Sequence, residues 1–111
     1  MNLHGKIRSL LVLEPRNGDY DALISVFREH DILGKAVLLA GAWSAEVHVP
    51  VSRGGPVVVT AVWDSPEAYA GWRAHPIRTE LNPYMERVVN LEAEPVIPSG
   101  VYEIAITASR G

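Results

Sequence analysis

Apolar and polar positions along the chain fall into runs with two different periods, and the runs predict its strands and helices. Residues 7–13, Ile-Arg-Ser-Leu-Leu-Val-Leu, read as a strand. Glu14-Pro15-Arg16-Asn17-Gly18 reads as a loop by its Pro, Asn and Gly. Asp19 is placed to cap a helix, and Tyr20, Leu23, Ile24 and Phe27 then recur at i, i+3, i+4 and i+7, which puts them on one helical face, with Ile32 extending the stripe. Gly34 is the predicted stop of that helix. Ala36-Val37-Leu38-Leu39-Ala40 fits a strand or a helix equally well by periodicity. From Ala42 to Val51 a strand is predicted, with Trp43, Ala45, Val47 and Val49 on one side and Ser44, Glu46 and His48 on the other. The turn formers Ser52-Arg53-Gly54-Gly55-Pro56 join it to the next strand as an antiparallel hairpin.

Residues 57–63, Val-Val-Val-Thr-Ala-Val-Trp, are apolar on both faces: Val57, Val59, Ala61 and Trp63 on one, Val58, Thr60 and Val62 on the other. A strand with two apolar faces calls for two covering layers. The chain has helix enough for one, so the other face is expected to meet a second copy. Asp64-Ser65-Pro66-Glu67 predicts a helix start, with Ser65 at the N-cap, Pro66 as first helical residue and Glu67 near the positive end of the dipole. Tyr69 and Trp72 share a face of this helix, and His75-Pro76 ends or kinks it. Asn82-Pro83 repeats the cap-then-proline signal and predicts a short helix to about Val89, with Tyr84, Met85 and Val88 on its apolar face. After Pro95 and Pro98, Val101 to Thr107 reads as the last strand. The order strand, helix, strand, strand, helix, strand is the split βαβ, ferredoxin-like plan: an α+β fold with an antiparallel sheet and helices on one face.

Composition narrows the chemistry. The 111 residues allow one domain, 1–111, and 48% apolar with 21% charged residues is ordinary globular usage. Ten basic residues against thirteen acidic give a net charge of −3 with no basic run, so no footprint for nucleic acid exists. The absence of cysteine excludes disulfides, thiolate metal sites and cysteine nucleophiles. No apolar run reaches the roughly 20 residues that span a bilayer, and the first residues do not read as a signal peptide, so a cytoplasmic location without membrane contact is expected. Arg53-Gly54-Gly55-Pro56 lacks the Lys and Ser/Thr of a phosphate loop, and no His or carboxylate cluster has metal-ligand spacing. No metal and no cofactor is therefore expected.

The stretch Val58-Val59-Thr60-Ala61-Val62-Trp63-Asp64-Ser65-Pro66-Glu67-Ala68-Tyr69-Ala70-Gly71-Trp72-Arg73 resembles the antibiotic biosynthesis monooxygenase family, in which an apolar strand leads through Trp-(Glu/Asp)-Ser into an acidic-Ala-aromatic helix start. The resemblance covers residues 5–107 in element order and is sharp over 57–78. It implies a dimeric α+β barrel, two ferredoxin-like subunits pressed sheet to sheet. It also implies one of several activities, among them cofactor-free oxygenation of aromatic polyketides, haem degradation and quinol oxygenation. By that resemblance Trp63 and Tyr69 line the pocket and His48 matches a His of the preceding strand. Val59 stands where oxygenases of this kind often carry an Asn, and Asn82 stands where the haem-degrading branch carries its His ligand.

Each candidate also has a plainer reading. Trp63, Trp72 and Trp43 are pocket walls for a planar ligand or ordinary core. Tyr69 is a donor to a substrate oxygen or a packed ring with a wet hydroxyl. His48 is a general base or a solvated surface His. His75 is a helix-end residue before it is a catalyst. Arg78 orients an anionic or enolate oxygen or joins a surface salt bridge. The expected activity is cofactor-independent oxygenation of a polycyclic aromatic or polyketide intermediate of secondary metabolism by a homodimer, with Tyr69, His48 and Arg78 as catalytic residues and Trp63, Trp72, Trp43 and Val59 against the substrate. The alternatives are a cofactor-free cyclase, isomerase or dehydratase on the same fold, and a non-catalytic dimer that binds a metabolite.

Overall fold

A computed structural model of the chain describes residues 3–94 and 98–110. In chain order it contains β1 (Ile7–Leu13), a 3-10 turn (Arg16–Gly18), α1 (Tyr20–Glu29), α2 (Ile32–Ala40), β2 (Ser44–His48), β3 (Val57–Trp63), α3 (Pro66–Arg73), α4 (Pro76–Glu86) and β4 (Gly100–Glu103). The four strands form one sheet in the order β2-β3-β1-β4, with every neighbouring pair antiparallel. This is the ferredoxin-like α+β arrangement, with the helices on one face.

Register fixes which side chains face the helices. Ile7 pairs with Trp63, Ser9 with Ala61, Leu11 with Val59 and Leu13 with Val57, while Ala45 and Val47 lie opposite Ala61 and Val59. Because side chains alternate along a strand, these residues form one surface. Val57, Ala61 and Trp63 on it are buried with Leu23 and Phe27 of α1, Ile32 and Ala36 of α2, Trp72 of α3 and Leu81 of α4. The opposite face carries Arg8, Leu10, Val12, Val58, Thr60, Val62, Glu46 and His48. Thr60 and Val62 on that face are 7% and 0% exposed within this one chain, Val62 lying between Arg8 and Ser44. They are thus less in need of a partner's cover than two-faced patterning suggests, and Leu10 and Val58 are the apolar side chains there that stay partly open.

Helix starts follow the capping signals. The Asp19 carboxylate accepts from Ala22 N at 3.0 Å, and Ser65 Oγ accepts from Ala68 N at 3.2 Å. Two predicted boundaries move. Gly34 is not a stop: α1 ends at His30–Asp31, where Asp31 adopts φ 46°, and Gly34 lies inside α2. A Cβ at Gly34 would meet the Asp31 carboxylate, which would have to move aside to admit it. The chain leaves α2 at Gly41, which takes φ 80° as a left-handed C-cap, so the ambiguous segment 36–40 is helix. The last helix likewise begins earlier than Asn82. His75 Nδ1 accepts from Ile77 N at 3.1 Å, Pro76 is the first residue of α4, and the helix continues through Pro83 to Glu86. Pro76 and Pro83 are both exposed, so the carbonyl that Pro83 cannot bond is free to meet water, and the helix tolerates it.

The strands are shorter than their patterns at the sheet edges. β2 covers Ser44–His48 of the predicted 42–51. β4 begins at Gly100 and ends at Glu103, well before Thr107. Gly5 N to Ile104 O at 2.9 Å and Ile104 N to Lys6 O at 2.8 Å continue the pairing just past the strand end, and Ile106 beyond them is 90% exposed. β1 starts at Ile7, so among the described residues no strand lies opposite the residues after 104, whatever their alternation. At the other end, Ser99 Oγ accepts from Val12 N at 3.0 Å and extends the ladder by one side-chain bond. The Pro95 break predicted before this strand lies outside the described residues. No helix among the described residues is long and apolar enough to cross a membrane.

Candidate functional site

The helices do not close fully on the sheet. A cavity of about 390 Å³ lies between them, within the range of small-molecule sites. Its floor is Ser9, Leu11, Val59, Ala61 and Trp63; Phe27, Ile32 and Ala36 close one side, and Tyr69, Trp72, Arg78, Asn82, Met85 and Glu86 the other.

Trp63 ends β3 pointing toward the helices, and α3 starts immediately after it, so Tyr69 leans back over the same space. Their ring centroids are 5.6 Å apart at an interplanar angle of 52°. Trp63 is fully buried, and its indole N–H donates to Ser9 Oγ at 2.9 Å, which ties the ring to β1 and leaves its edge satisfied. The Tyr69 hydroxyl makes no hydrogen bond to any described residue and is not sealed from the cavity. Trp72 is 5% exposed, and the Arg78 guanidinium lies over its ring at 5.5 Å. Burial pushes the Arg78 guanidinium below its ordinary value; the Tyr69 oxygen pulls it back up, and the like charge of Arg73 adds to the lowering. Arg78 forms no ion pair with a described carboxylate.

A second chamber of about 530 Å³ adjoins the first. Leu11, Tyr69 and Arg78 line both. Pro66, Ala70 and Arg73 of α3 and residues 99–101 at the start of β4 complete its wall.

Of the residues singled out from sequence, Trp63, Tyr69, Trp72, Arg78 and Val59 therefore line one cavity. His48 and Trp43 do not. His48 stands on the other face of the sheet with about half its side chain in solvent, its Nε2 3.1 Å from Thr60 Oγ1 and 3.4 Å from Glu46 Oε1. The β2 pattern predicts this, since His48 alternates with the inward Val47. Trp43 precedes β2 and is 47% exposed. Its indole N–H donates to Asp64 Oδ1 at 2.7 Å, and the same oxygen accepts from Lys6 Nζ at 2.9 Å, with Lys6 4.6 Å above the Trp43 ring. The bonds from Lys6 and then Trp43 hold the Asp64 carboxyl below its usual value against a smaller desolvation effect, and the Lys6 charge adds to the lowering. His75 serves as the α4 cap.

The sequence pattern does not single out Ser9 or Glu86 for the site, and Asn82 stands out only as a helix start and through the family resemblance. Ser9 is the polar residue among the inward positions of β1. Arg78, Asn82 and Glu86 are spaced by four and share a face of α4; that spacing is hidden when a helix is started at Asn82-Pro83. Among the described residues no three His, Asp or Glu side chains converge so as to hold a metal ion.

No family model matches the chain, and no curated protein matches it in sequence. Solved structures do match. Rv0793 from Mycobacterium tuberculosis superposes with a TM-score of 0.64 at 14% identity, covering 96% of this chain and 99% of that one. A protein from Chloroflexus aurantiacus, assigned by its name to the antibiotic biosynthesis monooxygenases, gives a TM-score of 0.62 at 19% identity over 96% and 97% of the two chains. NE2512 from Nitrosomonas europaea, a protein of unknown function, gives 0.63 at 13% identity over 98% and 96%. Likeness at these identities carries the fold and leaves the reaction to the site. The chain thus shares the ferredoxin-like α+β fold of these structures, the Chloroflexus protein among them, over nearly its whole length.

Proposed function

We propose that this chain is a cofactor-free oxygenase acting, as a homodimer, on a planar polycyclic aromatic or polyketide intermediate. The observation that carries the reading is the cavity walled by Trp63 and Trp72, into which the uncommitted Tyr69 hydroxyl and the unpaired Arg78 guanidinium open. Flat aromatic walls suit a flat guest, and the few polar tips orient it. A substrate with an acidic CH₂ conjugated with a carbonyl loses one proton to form an enolate. The enolate carbon gives electrons to O₂ and forms a C–O bond, protonation gives a hydroperoxide, and removal of the second C–H proton as the O–O bond breaks releases water and leaves a new carbonyl. Tyr69 and Arg78 stabilise the oxyanion as it develops, and the apolar floor keeps water away. His48 lies across the sheet from a substrate held in this cavity, so Glu86, the carboxylate on its wall, is the base within the subunit. The partner subunit covers the open face of the sheet at Leu10 and Val58. The name of the Chloroflexus neighbour supports the oxygenase reading.

A second reading, a cofactor-free cyclase, isomerase or dehydratase, is favoured by Val59, an apolar side chain on the floor where the resembled oxygenases often place an Asn. Anthrone separates the two. Oxygenation consumes one O₂ per anthrone and yields anthraquinone and water, so an oxygen electrode and product analysis should report that one-to-one ratio. Turnover of polyketide-like ketones with no oxygen uptake would reject the first reading in favour of the second.

A further inference from the structure

We infer that the second chamber is a carboxylate subsite: the ligand brings an acidic substituent, held by Arg73 and Arg78, on a planar body that fills the first cavity. The inference rests on the reading of that cavity as the site of a planar ligand, and it adds the charge the ligand carries. Arg73 and Arg78 both line the chamber, and the described residues around it include no Asp or Glu. Neither guanidinium makes a hydrogen bond or ion pair with a described residue. Their protein contacts are rings: Arg73 lies 6.0 Å from the Tyr69 centroid and Arg78 5.5 Å from that of Trp72. Ring contacts use the positive charge but supply no oxygen acceptor for the N–H groups.

Two like charges held near each other, one partly buried, are unfavourable without an anion. The chain as a whole is acidic, at net −3, so this positive spot is local. No Arg78 nitrogen is sealed from solvent, so a ligand can reach its donors. The guanidinium fork matches a carboxylate in two parallel bonds. Ser99 at the chamber's far side has its oxygen engaged by Val12 N, which leaves its hydroxyl proton able to donate to the same anion. Because Tyr69 and Arg78 line both chambers, an acid bound in the second sits beside the polar tips of the first.

The test compares anthraquinone-2-carboxylate with its neutral isostere, anthraquinone-2-carboxamide, by quenching of tryptophan fluorescence in the intact protein. The carboxylate should bind about ten-fold more tightly, the size of one charge-assisted contact, and the preference should shrink as salt is added. Arg73→Gln, outside the first cavity, should reduce the preference several-fold without changing carboxamide affinity; Arg78→Gln should reduce the preference as well, on top of any loss it causes in carboxamide affinity through the first cavity. Arg73 is exposed, so its variant reports even where the loss of Arg78 harms folding. Equal affinities in the unmodified protein, or a preference that survives the double substitution, would overturn the subsite and leave the cavity reading standing. If neither compound binds, the cavity reading itself fails and the subsite with it.

Discussion

Tyr69 lines both chambers, with the Trp63 ring centroid 5.6 Å away on one side and the Arg73 guanidinium on the other. Tyr69→Phe keeps the ring contact and removes only the donor. Steady-state kinetics should show kcat lowered roughly 100-fold with a much smaller change in KM, because the lost bond strengthens as the oxyanion forms; an unchanged kcat would remove Tyr69 from the mechanism. The neighbouring wall depends on a different oxygen. Ser9→Ala leaves the buried Trp63 indole N–H without its acceptor and should cost about 1–3 kcal/mol in chemical denaturation, with a shifted tryptophan emission. Much of the cavity is legible in the sequence because Val59, Trp63, Tyr69 and Trp72 lie within fourteen residues and their facing follows from strand alternation and helix phase. Asn82 and Glu86 are not legible, because their contribution depends on where α4 begins. Ser9 is hidden for another reason: its partner, Trp63, is fifty-four positions away.

The elements divide the same way. β1, β3 and the start of α3 can be read directly, since a seven-residue apolar strand and a Ser-Pro cap are local signals. α4 is harder, because His75-Pro76 and Asn82-Pro83 carry the same signal and local chemistry does not rank them. What decides is that the residues from Pro76 onward bury Leu81 against the core. β4 is harder still, since its length is set by where β1 offers a partner, a fact of the whole sheet. At the end of β3, Lys6, Trp43 and Asp64 tie three segments together, and this tie is pH-dependent. A carboxyl depressed in the folded state contributes stability that is present above its unfolded value and lost as pH falls through the lower folded one. The Trp43 indole N–H resonance should therefore titrate with a midpoint below 3.8, and Lys6→Met should move that midpoint upward. A resonance that ignores acid down to unfolding would exclude the tie in solution.

At the scale of the molecule, the sheet is one strand-layer thick and serves two separate surfaces. Trp63 and the cavity lie on one, and Leu10, Val58 and the His48–Thr60 pair on the other. The proposed dimer uses the second. Leu10→Lys should shift the sedimenting species from dimer to monomer while the circular dichroism spectrum stays unchanged, because Leu10 is only partly covered in the single chain. Val62 is a poorer probe: at 0% exposure, a charge there disturbs the subunit before it reaches a partner. A monomer at micromolar concentration in the unmodified protein would reject the dimer.

The cavity has a consequence under hydrostatic pressure. Unfolding admits water to any unfilled space and shrinks the volume of the system, so pressure favours the unfolded chain in proportion to the void that is lost. The space of about 390 Å³ between sheet and helices is partly open to solvent, so water reaches its polar mouth and only the part over the apolar floor that water leaves empty counts as void. If that floor stays dry, high-pressure fluorescence should find a more negative volume of unfolding for the ligand-free protein than with a planar guest bound, and binding should raise the midpoint pressure. A guest that raised the midpoint without reducing the volume change would be binding elsewhere. The ligand is then an internal part of the packing as much as a substrate, and compressibility measures how much of the core it completes.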